Sequence, residues 1–148
     1  WSDRPPRTIE RLSTLTLGLL GLSRIGRKLA EWMRPLVKRI IFFDPHVTEL
    51  PTWAEAVTLD ELFEESDLLS LHCPLVPETR HVIGEQSLRQ MKPTALLANA
   101  ARGGLVDAQA LALALALALA LALALALALA LALALALAPD PKPKVCHH

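Results

Sequence analysis

The densest chemical signal in the chain is Gly18-Leu-Leu-Gly21-Leu-Ser23-Arg24-Ile25-Gly26. In a dinucleotide fingerprint the first glycine allows a tight turn, and the second lets a diphosphate approach the backbone. The third lets helix and strand pack closely. Gly21 and Gly26 fill the first and third roles, and Ser23 stands in the second. Unpaired N–H groups at the start of the following helix would hold the anion. The Cβ of Ser23 crowds that approach, although its hydroxyl can donate a hydrogen bond, so weakened affinity is expected. Asp44 follows Gly26 by 18 residues. A carboxylate there accepts from the adenosine ribose hydroxyls and repels a 2′-phosphate, which favours NAD over NADP. The competing reading is a packing-glycine turn that binds no nucleotide.

These residues need a particular scaffold. Leu15 to Leu20 is an apolar run that reads as a buried strand. Arg24 to Met33 has helical spacing, with Ile25, Leu29 and Trp32 or Met33 on one face, and stops before Pro35. Val37 to Phe43 is a second strand closed by Asp44-Pro45. Thr58-Leu-Asp-Glu61 predicts a capping box and a helix to Glu65. Leu68 to Leu71 and Thr94 to Ala98 read as further strands, with a short helix over Glu85 to Met91 between them. Strands apolar throughout and alternating with helices predict an α/β fold: a Rossmann-type doubly wound parallel sheet, here incomplete.

Three more segments carry a resemblance: Asp67-Leu-Leu-Ser-Leu-His72-Cys-Pro-Leu-Val-Pro-Glu-Thr79-Arg80, Met91-Lys-Pro-Thr, and Asn99-Ala-Ala-Arg102-Gly-Gly-Leu-Val-Asp107. With the glycine loop, they resemble the NAD-binding domain of the D-isomer-specific 2-hydroxyacid dehydrogenases, such as phosphoglycerate dehydrogenase. The resemblance spans Trp1 to about Ala110. It implies that Arg24 and Ile25 contact the pyrophosphate and that Cys73, Pro74 and Thr79 line the cofactor cleft. It sets Ala100, Ala101 and Arg102 beside the nicotinamide and makes Arg102 the substrate-binding, catalytic arginine. A planar guanidinium suits that task, because it grips the carboxylate and carbonyl of a 2-oxo acid together. The alternative for Arg102 is a surface salt bridge. His72 and His81 match non-catalytic positions and read as loop histidines. Cys73 has no base beside it and reads as a cleft-lining residue, not a nucleophile.

The resemblance also implies an acid–base histidine paired with a glutamate downstream of Arg102, with a second cofactor-binding aspartate near that glutamate. The glutamate's place falls in Leu111 to Ala138, an unbroken Leu-Ala repeat of 28 residues without an ionisable group. His147 and His148 lie in a ragged tail and are not assigned to catalysis. With Cys146 they make a poor metal site, and no metal is expected. The chain is thus expected to be unable to catalyse alone. Four segments are expected: 1–13, a lead-in from a missing substrate domain; 14–110, the cofactor domain; 111–138, a low-complexity helix; and 139–148, a disordered tail. Trp1 in place of an initiator Met suggests a missing N-terminal part, and no secretory signal is visible.

Fifteen basic and fifteen acidic residues balance, which gives no reason to expect nucleic acid as a partner. Two distant cysteines build no disulfide framework, which fits a cytoplasmic setting. Leu and Ala favour helix, and leucine at alternate positions winds around the whole circumference, leaving no polar face. Such a run meets the length criterion for a membrane span. An expanded short DNA repeat is the preferred explanation, with aggregation in water as its consequence. The substrate expected for the intact enzyme is a small 2-hydroxy or 2-oxo acid, and a homodimer is possible by resemblance. A corepressor-like, NAD-responsive binding module and a membrane-tethered fragment are the alternatives.

Overall fold

The computed structural model describes residues 11–136, and the side chains among them only as far as 128. Five parallel strands form one sheet in the order β3-β2-β1-β4-β5. They are β1 (Thr16–Leu20), β2 (Arg39–Phe43), β3 (Glu55–Ala56), β4 (Leu68–Leu71) and β5 (Leu96–Asn99). The helices are α1 (Arg24–Met33), α2 (Leu59–Glu65), α3 (Glu85–Gln90) and α4 (Ala108–Ala136). β1 pairs with β2 in the register Gly18↔Ile41 and with β4 in the register Gly18↔Leu69. The strand order therefore turns around at β1, between β2 and β4. In doubly wound sheets ligands bind beyond the carboxyl ends of the strands at such a switch point.

Alternate residues of each strand enter two cores, one on each face. Leu17, Leu19, Ile40 and Phe42 pack with Ala30 of α1. Leu20, Ile41, Leu69 and Leu71 pack with Leu62 and Phe63 of α2. The α1 stripe differs from the expected one. Gly26 and Ala30 are buried and Leu29 and Met33 pack partly, whereas Ile25 is 69% and Trp32 66% exposed. The small residues let the helix sit close to the sheet, which rotates the larger ones outward.

The capping box is present. The Thr58 hydroxyl accepts from Glu61 N–H, and the Glu61 carboxylate accepts from Thr58 N–H at 2.8 Å. β5 starts two residues later than expected because Ala95 N–H donates to Lys92 O and keeps Thr94 and Ala95 in a turn. At the opposite end of the sheet from the switch-point crevice, Asp67 accepts from Thr16 N–H at 2.8 Å and from Lys92 Nζ at 2.7 Å. Burial opposes its ionisation, but the Lys92 bond and the Thr16 N–H outweigh that cost and hold its pKa below the ordinary value.

The chain divides into two compact units, one ending at Leu111 and one beginning at Ala112. α4 starts before the repeat, where the Asp107 carboxylate accepts from Gln109 N–H and Ala110 N–H. Within the repeat, the leucines from Leu113 to Leu127 are all exposed. Ala108–Ala128 is long and apolar enough to cross a membrane by length and composition, with a mean hydropathy of 2.8. The lead-in and the tail of the expected segmentation lie largely outside the described residues, and so does the Cys146-His147-His148 cluster.

Candidate active site

The glycine loop is built at the carboxyl end of β1. Gly21 N–H donates to Phe43 O, and Gly21 has φ +94°, a left-handed conformation that favours glycine. A Cβ at Gly21 would lie 2.7 Å from the Cys73 nitrogen, and one at Gly26 would lie 2.6 Å from Gly21 O. The loop, the helix start and the β4 end are therefore packed backbone to backbone, which is the cradle a diphosphate needs. Ser23 is the N-cap of α1 and makes no side-chain cap bond, so its hydroxyl is free toward the crevice. The N–H groups of the first turn of α1 lack intrahelical acceptors.

Asp44 has a part that sequence reasoning missed. Its Oδ2 accepts from Leu22 N–H at 2.8 Å, and its Oδ1 accepts from His46 N–H at 3.0 Å. It ties the glycine loop to the end of β2. Each oxygen keeps a second lone pair, so ribose hydroxyls remain compatible with this arrangement.

A cavity of about 610 Å³ lies at the switch point, lined by Ser23, Ile25, His72, Cys73, Pro74, Leu75, Ala100, Ala101 and Arg102. It brings together seven of the expected site residues from three separate segments. Arg24 lines the adjoining groove instead, with Lys28 and Trp32. Thr79 is not in the cavity wall. Its hydroxyl donates to Pro74 O at 2.7 Å and accepts from Val76 N–H at 2.9 Å, bracing the loop that carries Pro74. Arg102 is exposed, and its Nη1 donates to Ala101 O at 3.0 Å. Among the described residues it pairs with no carboxylate, so the salt-bridge alternative finds no partner.

His72 and Leu75 were not expected in the wall. The His72 Nε2 lies 2.9 Å from Ser70 Oγ, and burial pushes the imidazole pKa below its ordinary value. Burial likewise raises the Cys73 thiol, which keeps it protonated and unreactive. His81 sits outside the cavity with φ 54°, its Nδ1 3.9 Å from Asp107. Residues two apart along a strand share a face, but the bond between Ser70 and His72 itself leaves no mark in the sequence.

Fold, cradle and cavity together define a dinucleotide-binding α/β domain. The family described as D-isomer specific 2-hydroxyacid dehydrogenase, NAD binding domain, matches residues 1–125. Hydroxypyruvate reductase of Thermotoga maritima is 44% identical over 96 residues, covering 65% of this chain and 31% of that protein. Glyoxylate reductase of Aeropyrum pernix is 46% identical over 99 residues, covering 65% and 30%. A D-isomer specific 2-hydroxyacid dehydrogenase from Lactobacillus delbrueckii ssp. bulgaricus, solved in its NAD complexed form, aligns with TM-score 0.68 and 38% identity over 72% of this chain and 33% of that one. The chain belongs to the D-isomer specific 2-hydroxyacid dehydrogenase family, as its NAD-binding domain. It spans about a third of the length of these relatives.

Proposed function

We propose that this chain is the cofactor half of an oxidoreductase that interconverts a small 2-hydroxy acid and its 2-oxo acid, and that it is incompetent alone. NAD, when bound, supplies or accepts the hydride. Ser23 and the first turn of α1 hold the diphosphate, and Asp44 holds the adenosine ribose. Cys73, Pro74, Ala100 and Ala101 wall the nicotinamide end. Arg102 grips the carboxylate and carbonyl of the 2-oxo acid and stabilises charge on the oxygen. The observation that carries this reading is the convergence of Ser23, Cys73, Pro74 and Ala100 to Arg102 on one cavity at the strand ends. Incompetence rests on the repeat from Leu111 to Ala138, which offers no ionisable group for acid–base work. A cytoplasmic setting, with Cys73 a buried free thiol, and a homodimer complete the proposal.

The test uses the intact parent protein with NADH and either hydroxypyruvate or glyoxylate. Turnover that Arg102→Ala abolishes supports the dehydrogenase reading. NADH binding with no turnover on either acid overturns it in favour of a non-enzymatic, NAD-responsive module. The apolar window of α4 supports the membrane-tethered alternative. Retention of the chain in membranes through carbonate extraction would establish that tether.

A further inference from the structure

The loop that carries Arg102 is held in two different ways along its length. Its second half is anchored across to the neighbouring loop. His81 N–H donates to Gly104 O, Ile83 N–H to Leu105 O, and Asp107 N–H to Ile83 O. Leu105 is fully buried beneath these bonds. The first half, residues 100–102, is held by one backbone bond at its end, from Leu105 N–H to Arg102 O at 3.2 Å, and otherwise by one side chain. Asn99 ends β5 opposite Leu71. Its Oδ1 accepts from Ala101 N–H at 3.0 Å, and its Nδ2 donates to Arg102 O at 2.8 Å. Ala101 O in turn accepts from the Arg102 guanidinium.

We propose that Asn99 is a positioning residue for Arg102, its amide clasping the Ala101–Arg102 backbone so that the guanidinium starts from a fixed place beside the cavity. The inference rests on the reading of Arg102 as the substrate-binding arginine. The chemistry requires an amide, since one neutral group must donate and accept at once. A carboxylate would set an acceptor against Arg102 O, and an alkyl group would do neither. Asn99 is exposed and adds nothing to either core, so its removal loosens the loop without opening a cavity.

The experiment titrates the full chain, kept dispersed in mild detergent, first with NADH and then with oxamate at saturating NADH. Oxamate is an unreactive planar analogue of a 2-oxo acid. Asn99→Ala is expected to weaken oxamate about tenfold, the scale of one lost hydrogen bond, while the NADH affinity stays within about twofold. Asn99→Ser keeps a hydroxyl acceptor for Ala101 N–H but does not reach Arg102 O, and is expected to fall between. Circular dichroism controls for folding. Oxamate binding that depends on Arg102 but is unchanged in Asn99→Ala overturns this inference alone. Equal losses of NADH and oxamate in Asn99→Ala also overturn it, since the role is then general to the loop. Oxamate binding that Arg102→Ala leaves intact overturns the parent reading and this one with it, and no oxamate binding at all overturns this one alone, since Arg102 then holds no 2-oxo acid in this chain.

Discussion

Ser23 is the residue at which this chain departs from the glycine fingerprint. Its side chain caps nothing and stands at the cavity wall, so its cost falls on the approaching diphosphate and not on the helix. Ser23→Gly is expected to tighten NADH several-fold in a fluorescence titration, and equal affinities would contradict this. Two titrating groups make a second prediction. His72, depressed by burial, and Asp67, depressed by Lys92 and Thr16 against the cost of burial, both bind protons more readily when the chain is unfolded. Their contribution to stability is present above the unfolded values of 6.5 and 3.8 and is lost as pH falls from each through the lower folded value. The urea midpoint, followed by tryptophan fluorescence, should drop once below about pH 6.5 and again below about pH 4. His72→Gln removes the first drop, and Asp67→Asn shrinks the second, to which Glu61 and Asp107, also held below their ordinary values, contribute. A flat midpoint across that range would contradict the assignment. The glycines and Asp44 stand out in the sequence by type and spacing, and Arg102 only through the family resemblance. The bonds of Asn99 to its loop and of Asp44 to Leu22 N–H do not, because a side-chain bond to nearby backbone leaves no periodic trace.

At the scale of the elements, β1 and α2 meet through Gly18. A Cβ there would lie 1.9 Å from the Oγ of Ser66, which is fully buried at the end of α2. Gly18→Ala should therefore cost about 1–3 kcal/mol by overpacking, measured by thermal unfolding, and Ser66→Ala in the same chain should recover part of it. An undiminished midpoint in Gly18→Ala would show that the contact relaxes freely. Long apolar runs and the Thr58–Glu61 box made β1, β2, β4 and α2 readable. β3 was not, because a two-residue edge strand has no alternation to detect and its residues Glu55 and Ala56 are both exposed. The exposure of Ile25 and Trp32 was also missed. Periodicity identifies a stripe, but the small residues Gly26 and Ala30 decide which side comes closest to the sheet.

The whole molecule joins a domain with an ordinary two-faced core to a helix without a polar face. A parallel sheet protects its apolar strands with helices, whereas α4 leaves leucines exposed from Leu113 to Leu127. In aqueous buffer the chain should therefore sediment as a polydisperse aggregate, and mild detergent should disperse it. A monodisperse monomer in buffer alone would contradict this. The crevice at the carboxyl end of β1 is proposed to bind NAD, with Asp44 selecting it over NADP. The most direct measurement is a fluorescence titration of the detergent-dispersed chain with NADH and with NADPH, repeated in Asp44→Ala. Saturable NADH binding is expected, with NADPH at least about tenfold weaker because its 2′-phosphate meets a carboxylate, and with that preference erased in the variant. A folded chain that shows no saturable NADH binding, or that binds both nucleotides equally, would contradict the account.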